Sequence, residues 1–425
     1  MPRIIMKFGG TSVAGVPEIE NAAVKVAAEV ARGNEVAVVV SAMAGVTDQM
    51  VRLCRDISPF HDTREYDAVV SSGENVTAGL MALALQKRGV QARSWQGWQV
   101  SIETDEIHGK ARIQNIHCEE LEKRLCGGEV AVVAGFQGVT PRQRISTLGR
   151  GGSDTTAVAI AAALKADRCD IYTDVEGVFT TDPRIVPHAR KLSRISYEEM
   201  LEMASLGAKV LMNRSVEIAM KTGVPIQVLS SFGDAIGSDM PGTLVMKEDA
   251  IMEQHVVNGV TYSRDEAKIT LLDIPDIPGM AAKIFGPLAE MHINVDMIVQ
   301  NVSPDGKKTD MTFTVRRGDL PRALETLGKM QELKGTEIRS DDQVAKVSVV
   351  GIGMQSHSGV AQTMFHALAE KGINIQVIST SEIKISVLID EAYTELAIRA
   401  LHTAYDLENL LSEGTGKGHE RSAIA

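Results

Sequence analysis

The sequence predicts an α/β protein: a sandwich on a mainly parallel sheet, followed by two smaller ferredoxin-like units. The first 230 residues alternate short apolar runs with helical patterns, the order typical of a parallel sheet covered by helices. Farther along, residues 359–374 repeat residues 279–294, and 8 of the 16 positions are identical. Unrelated segments of average composition would share about one position.

The first part reads as strands separated by helices. Its continuous β-branched runs are typical of strands buried on both faces of a parallel sheet. The strands are predicted at 4–7, 35–40, 129–134, 169–174 and 225–229. Helical periodicity predicts helices over 19–30, over 66–88 with an interruption near Gly73, and over 154–166.

The repeat predicts two copies of one unit, because both copies place apolar residues at the same helical phase. A strand precedes each helix, two strands and a further helix follow it, and the expected order is βαββαβ in both copies. The predicted strands are 269–274, 294–301 and 310–315 in the first copy, and 346–352, 374–379 and 384–389 in the second. The predicted domains are the sandwich at 1–246, a linker or first strand of the repeat region at 247–265, the two repeat units at 266–340 and 341–411, and a disordered tail at 412–425.

Composition excludes several classes of protein. The 425 residues include 44 Lys and Arg against 55 Asp and Glu, a net charge of −11, with 4% aromatic residues. A nucleic-acid binder needs a basic surface and stacking residues, so none is expected here. The longest apolar stretches, such as 157–164, are too short to span a membrane.

The first residues lead into an apolar run too short for a signal peptide. The four cysteines lack C-x-x-C spacing and nearby His pairs, so free thiols in a reducing cytoplasm are expected. They are Cys54, Cys118, Cys126 and Cys169.

Two glycine-rich loops are candidates for phosphate binding. The loop at 7–12 reads Lys-Phe-Gly-Gly-Thr-Ser, and the loop at 149–156 reads Gly-Arg-Gly-Gly-Ser-Asp-Thr-Thr. Each follows a strand, precedes a helix and includes a cation, a place where open α/β sheets bind ligands. The alternative is two tight strand-to-helix turns. The usual P-loop, dinucleotide, protein-kinase and hydrolase motifs are absent from the sequence.

Several motifs together resemble the aspartate kinases of the amino-acid-kinase superfamily. They are KFGGTS, SAMAGVTD, SSGEN, GRGGSDTTA, YTDVEGVFTTDPR and SLGAKVL, in the family's order. The two repeats are similar to the family's paired ACT domains, and the resemblance extends from residue 4 to about residue 407. The chain is too short for the homoserine dehydrogenase fused to some relatives.

The resemblance implies transfer of the ATP γ-phosphoryl group to the side-chain carboxylate of L-aspartate, giving 4-phospho-L-aspartate and ADP. Such a carboxylate is ionised at neutral pH and needs no general base, but it needs positive charge to approach a polyphosphate. The resemblance assigns Lys7 to the transferring group, the amides of Gly9 and Gly10 to the phosphates, and Asp154 to orienting Lys7. The alternative for Asp154 is a helix N-cap.

For the two substrates, the resemblance implies two sets of residues. Arg150 would hold the α-carboxylate of aspartate and Glu74 its α-ammonium; alternatively, Glu74 is a solvated helix charge. The aspartate set is Ser41, Thr47, Glu74 and Arg150; the ATP set adds Thr173, Asp174, Phe179, Arg184 and Lys209. Some relatives have Tyr where this chain has Phe179. Mg²⁺ is implied with no protein ligand assigned.

ACT domains of the family imply an amino-acid effector, here lysine, threonine or both, at the turn between first strand and helix. The alternative is that the glycines only cap helices and the asparagines only form turns. The candidate effector residues are Asp276, Gly279, Ala281, Asn294, Gly359 and Asn374. The resemblance also implies a homo-oligomer assembled through the ACT domains, with or without a separate ACT-region subunit.

Two other functions are considered. One is a related kinase acting on acetylglutamate, uridylate or a similar acceptor, although such relatives normally lack tandem ACT domains. The other is a catalytically inactive amino-acid sensor, which the presence of Lys7, Glu74, Arg150, Asp154 and Lys209 disfavours.

Overall fold

A computed structural model of the chain describes residues 1–205, 210–248, 256–302, 308–355 and 357–409. The strands are β1 Arg3–Phe8, β2 Glu35–Val40, β3 Ala92–Trp95, β4 Ile102–Thr104, β5 Ile113–Ile116, β6 Val130–Ala134, β7 Gln137–Val139, β8 Ile145–Thr147, β9 Arg168–Thr173, β10 Arg194–Ser196, β11 Ile226–Ser230, β12 Thr243–Met246, β13 Gly259–Pro275, β14 Val295–Val302, β15 Lys308–Val315, β16 Ile338–Val350, β17 Val377–Thr380 and β18 Lys384–Asp390. The helices are α1 Val16–Ala31, α2 Val46–Ile57, α3 Thr63–Val70, α4 Ser72–Lys87, α5 Glu119–Cys126, α6 Gly152–Ala163, α7 Tyr197–Ser205, α8 Asn213–Thr222, α9 Met280–Glu290, α10 Leu320–Gly328, α11 Val360–Glu370 and α12 Thr394–Ala404. The predicted tail at 412–425 and Lys209 lie outside the described residues.

An eight-stranded sheet forms the centre of the first part, in the order β10-β12-β11-β9-β1-β2-β6-β3. Its neighbours pair in parallel except β11 with β12. Helices α1 and α4 pack on one face, and α5, α6, α7 and α8 pack on the other. The predicted three-layer α/β sandwich is confirmed. The carboxyl ends of β1, β2, β6 and β9 meet at one edge, where parallel strands commonly hold a ligand.

A second, four-stranded sheet in the order β5-β4-β7-β8 was not predicted. Its strands have three or four residues each, too few to show a period of two in the sequence. This sheet places β8 and the loop after it beside α3.

The helix predicted over 66–88 is present as α3 and α4, separated at Ser71. Together they form a 25-residue stretch that is apolar and long enough to cross a membrane by length and composition alone, and 56% of its apolar window is buried inside the fold. Such burial is typical of a core helix in a globular domain, and α4 packs on the main sheet.

The two repeats share one six-stranded sheet, in the order β14-β15-β13-β16-β18-β17. The first unit has the expected βαββαβ order, from the second half of β13 to the first half of β16. The second unit differs, because the place of its last strand is filled by Gly259–Ser263 at the start of β13. This strand lies before the first repeat in sequence. The last strand of each unit is therefore continuous with the first strand of the other unit.

The second unit also packs on the first part of the chain, which contains the eight-stranded sheet. Its hydrophobic core includes Ile185 and Val186, which precede both repeats in sequence. The core of the first unit is formed, within the described residues, by positions 267–338 alone.

Candidate active site

A cavity of about 310 Å³ opens at the carboxyl edge of the main sheet. The loops after β1, β2, β6 and β8 and the first turns of α2, α4 and α6 surround it. Its lining includes Lys7, Gly10, Ser41, Ala42, Met43, Ala44, Gly45, Thr47, Glu74, Phe136 and the segment 149–154. The structure therefore brings together both candidate catalytic residues and all four candidate aspartate ligands.

Lys7 and Asp154 form an ion pair at the floor of this cavity. The Nζ atom of Lys7, near the end of β1, lies 2.6 Å from Oδ1 of Asp154. Both residues are 8% exposed. Helix α6 begins at Gly152 with Gly151 as its N-cap, so the alternative of Asp154 as an N-cap is wrong. A buried lysine held by one carboxylate is a fixed positive charge in a site of low dielectric constant.

Glu74 is buried in the first turn of α4, at 3% exposure. The alternative of a solvated helix charge is therefore wrong. Its Oε1 accepts the backbone N–H of Ala42 at 3.0 Å, whereas Oε2 has no hydrogen-bond partner among the described residues. Burial raises the pKa of Glu74 to about 7. An unpaired buried carboxyl oxygen at a cavity wall is suited to binding a cationic ligand group.

Arg150 also lines the cavity and is exposed, in the loop between β8 and α6. Within the described chain, no ion pair is formed by its guanidinium. The flanking glycines are both left-handed, with φ of +78° at Gly149 and +72° at Gly151. A side chain at Gly151 would collide with Met212. The loop thus depends on these glycines to present Arg150 at the rim.

The remaining expected ligands around the cavity follow β1 and β2 in the chain. The backbone N–H of Ser41 donates to Phe8 at 3.1 Å, and Thr47 lies in the first turn of α2. A Cβ on Gly10 would lie 3.1 Å from the carbonyl of Ala42, so this position is tightly packed. The backbone N–H of Gly9 donates to Tyr172 at 3.3 Å, so this amide is already occupied, contrary to the expectation that both glycine amides face a phosphate.

Of the expected ATP residues, Lys7 and Gly10 line this cavity, whereas Thr173, Asp174, Phe179 and Arg184 do not. Thr173 ends β9 beside β1, and its hydroxyl donates to Asp174 at 3.1 Å. Arg184 is exposed and forms an ion pair with Asp182 at 2.8 Å. That ion pair raises the pKa of Arg184. Phe179 pairs with Lys191 in an isolated bridge, and the expected Lys209 falls outside the described residues.

Sequence reasoning missed Phe136, the one lining residue of the described chain outside the quoted motifs, and gave no site role to Ser153 inside GRGGSDTTA. Phe136 follows β6 and has a left-handed backbone with φ of +69°, and Ser153 is buried beside it in the first turn of α6. A non-glycine residue at positive φ stores strain and often marks a functional site. The Gly-Phe-Gln-Gly sequence after the 129–134 strand was the available signal.

The expected effector residues lie in the regulatory units. Gly279 and Gly359 are the N-caps of α9 and α11 and have φ of +88° and +96°. Ala281, Asn294 and Asn374 are exposed, and Asp276 is half-buried. Gly359 lines a cavity of about 730 Å³ together with His357 and Ser358. The helix-capping alternative for the glycines is compatible with this geometry.

Family models and known relatives match most of this chain. Residues 2–230 match the model of the amino acid kinase family, and residues 268–331 and 347–405 match ACT domain models. An aspartate kinase of Pseudomonas putida is 53% identical over 97% of this chain and 100% of its own length. An aspartokinase of Pseudomonas aeruginosa is 54% identical over 97% and 100%.

The chain belongs to the aspartokinases of the amino acid kinase family. A crystal structure of E. coli aspartokinase III with aspartate and ADP has a TM-score of 0.78 and 27% identity, covering 94% of this chain and 99% of that one. The lysine- and aspartate-bound T-state of that enzyme has a TM-score of 0.74 at 26% identity, covering 95% and 99%. As an aspartokinase, the chain is an ATP-dependent kinase with two ACT domains.

Proposed function

We propose that this aspartokinase transfers the γ-phosphoryl group of ATP to the side-chain carboxylate of L-aspartate, giving 4-phospho-L-aspartate and ADP. One observation carries the proposal: a single cavity holds the Lys7–Asp154 ion pair together with Glu74 and Arg150. A fixed cation suits phosphoryl transfer, and an unpaired acid in the same cavity as a guanidinium suits an α-amino acid.

The acceptor carboxylate attacks without a general base, since its reference pKa is near 3.9. The task of the protein is to align two anions and to neutralise their charge. Lys7 would stabilise the charge of the transferring group, with Asp154 holding its ammonium in place. The loop at Gly10 lines the same floor.

Glu74 and Arg150 would select the amino acid. Oε2 of Glu74 would accept from the α-ammonium, and the Arg150 guanidinium would bind the α-carboxylate with two hydrogen bonds. Ser41 and Thr47 line the same cavity and would complete the contacts.

ATP would bind along the edge at Thr173 and Asp174 and toward the segment with Phe179 and Arg184. Lys209 of the same ATP set would assist by its charge. Mg²⁺ would be held chiefly by phosphate oxygens and water, and the described residues contain no cluster of three potential metal-ligating side chains. Mg²⁺ would supply charge neutralisation of the phosphates.

Feedback regulation by lysine, threonine or both would act through the turn at Gly279, with the parallel turn at Gly359 as the alternative site, in a cytoplasmic homo-oligomer assembled through the ACT domains. E. coli aspartokinase III has been crystallised with lysine and aspartate. A separate subunit made of the ACT region is a further possible partner. No nucleic acid or membrane partner is proposed.

Lys7→Ala tests the catalytic assignment. We expect kcat to fall by at least about a thousandfold while ATP still binds, because the lost charge acts mainly as the phosphoryl group moves. A hydroxamate assay for acyl phosphate measures turnover, and calorimetry measures ATP binding. Lys87→Ala, which removes an exposed lysine, is the control. A folded Lys7→Ala variant with wild-type turnover would contradict the proposal.

Glu74→Gln tests the substrate assignment. We expect the aspartate KM to rise about 10- to 100-fold, the cost of losing a charge-assisted hydrogen bond, and the ATP KM to stay constant. If only the ATP KM rises, the assignment of Glu74 is wrong.

The raised pKa of Glu74 also predicts a pH dependence. Glu74 ionises near pH 7 in the unliganded fold, and only its charged form attracts the ammonium. The aspartate KM should therefore fall as the pH rises from about 6 to about 8, and this trend should vanish in Glu74→Gln. Because the folded pKa lies above the unfolded value of about 4.3, ionisation makes the unliganded fold less stable as the pH rises from about 4 to about 7.

A further inference from the structure

Asp67 is a buried carboxylate that the proposed mechanism does not use. It lies in α3, is fully buried, and accepts hydrogen bonds from two distant segments. His108 Nδ1 donates at 2.8 Å and the backbone N–H of Gly109 at 3.0 Å. Thr147 donates twice, from its backbone N–H at 3.0 Å and from its hydroxyl at 2.6 Å. Both carboxylate oxygens are thereby occupied.

These bonds fix the base of the loop that holds Arg150. Thr147 is the last residue of β8, three positions before Arg150. Its carbonyl accepts the backbone N–H of Ala111 at 2.9 Å. Arg214 then donates to the carbonyls of Leu148 at 3.0 Å and Ala111 at 2.9 Å. The chain entering the Arg150 loop is therefore held by three separate elements.

The same residue belongs to the helical stretch that positions Glu74. Asp67 and Glu74 are seven residues apart along α3 and α4, about two helical turns or roughly 10 Å. At the junction of the two helices, the carbonyl of Ser71 accepts from the Gln137 side chain at 3.1 Å. Asp67 thus links the helices that position Glu74 to the strand that positions Arg150.

We propose that Asp67 is a positioning residue that fixes the spacing between Glu74 and Arg150, and thereby the selection of an α-amino acid. The proposal rests on the proposed function, in which these two groups bind the ammonium and the carboxylate on one carbon atom. Two groups on one carbon tolerate little error in the spacing of their partners, because charge-assisted hydrogen bonds weaken steeply with poor geometry. A carboxylate that holds Thr147 through two donors, and the segment at His108 and Gly109 through two more, sets that spacing rigidly.

Asp67→Asn is the first test. An amide replaces one accepting oxygen by an NH₂ group that faces the N–H donors of the loop. We expect the aspartate KM to rise about tenfold, with the ATP KM within about twofold of the wild type.

Glu29→Gln is the matched control. Glu29 is also a fully buried helical carboxylate in the kinase domain. It accepts from the Ser238 backbone N–H at 2.8 Å, from the Ser238 hydroxyl at 2.6 Å and from Asn34 at 2.7 Å. A general loss of stability would affect both variants alike, whereas the proposal requires the change in aspartate KM only in Asp67→Asn.

A double-mutant cycle separates this inference from the proposed function. If Asp67 acts through Arg150, Asp67→Asn should add less than about twofold to the aspartate KM of an Arg150→Ala variant. An unchanged aspartate KM in Arg150→Ala alone would overturn the substrate assignment. A raised KM in Arg150→Ala with an unchanged KM in Asp67→Asn would overturn the role of Asp67, as would fully multiplicative effects.

Thr147→Val is the second variant, for the case that Asp67→Asn does not fold. It removes only the hydroxyl donor at 2.6 Å and keeps the backbone N–H. We expect a smaller rise in the aspartate KM, about threefold, again with no change in the ATP KM. A folded Thr147→Val with wild-type kinetics would count against the proposal.

Discussion

The two regulatory repeats have nearly the same sequence pattern and the same fold, but they differ in what they contact. The core of the second unit includes Ile185 and Val186 from the kinase domain, and the hydroxyl of Thr180 lies 2.9 Å from His402 in α12. The described core of the first unit draws only on residues 267–338.

This difference gives the two copies of one design different surroundings. The second unit contacts the segment that contains Phe179 and Arg184, two of the proposed ATP residues. The first unit joins the second unit through the sheet that they share, and a Cβ added at its Gly279 would meet no atom within 4 Å. A repeat therefore predicts a shared fold without predicting a shared role.

The largest expected effect is on inhibition by the effector, and it distinguishes the turn at Gly279 from the turn at Gly359. Gly279→Leu should raise the effector concentration for half-inhibition at least about tenfold with activity retained, since a bulky side chain blocks the approach to the amides of α9. Asp276 supplies an acid for the ligand's ammonium, and the second repeat has Ser356 at the equivalent position. Kinase assays with titrated lysine, threonine and their mixture measure the response.

Gly359→Leu is the matched control for that prediction. Both glycines have positive φ and no atom within 4 Å of an added Cβ, so the backbone strain of the two variants is similar. Resistance in Gly359→Leu with normal inhibition of Gly279→Leu would place the effector site in the second unit.

The next expected effects, on stability and on the ATP KM, distinguish the core of the second unit from the core of the first. Ile185→Ala and Ile284→Ala both delete a buried side chain, and each should lower the free energy of unfolding by about 2 to 5 kcal/mol in urea titrations. Only Ile185→Ala should also raise the ATP KM, because Ile185 belongs to the segment with the proposed ATP residues. Equal ATP KM values in the two variants would show that the packing of the second unit does not influence nucleotide binding.

The smallest effect concerns an ion pair between the second unit and the kinase domain. The Nζ atom of Lys384 in β18 lies 2.7 Å from Oε2 of Glu202 in α7, and both side chains are partly exposed. Lys384→Gln should cost about 0.5 to 1 kcal/mol of stability and less in high salt. Lys329→Gln, which breaks an exposed pair between Glu325 in α10 and the residue after that helix, should cost less, because solvent screens the pair. A larger loss in Lys329→Gln would contradict the ranking.

The sequence by itself predicted the sandwich, the repeat and the motif loops, because these depend on local patterns. Glu35–Val40 is a strand with the predicted bounds, since a β-branched run has few other stable conformations. The four short strands of the second sheet gave no such pattern, and neither did the left-handed Phe136.

Tertiary structure alone decided which distant residues meet. Motifs located Glu74 and Arg150 separately. The hydrogen bonds of Asp67 connect the helices that position Glu74 to the strand that positions Arg150, and no local sequence pattern identifies these bonds. Likewise, Gly259–Ser263 completes the second unit across the whole of the first. Such contacts depend on the packing of elements far apart in the chain, whereas helices and strands are specified by neighbouring residues.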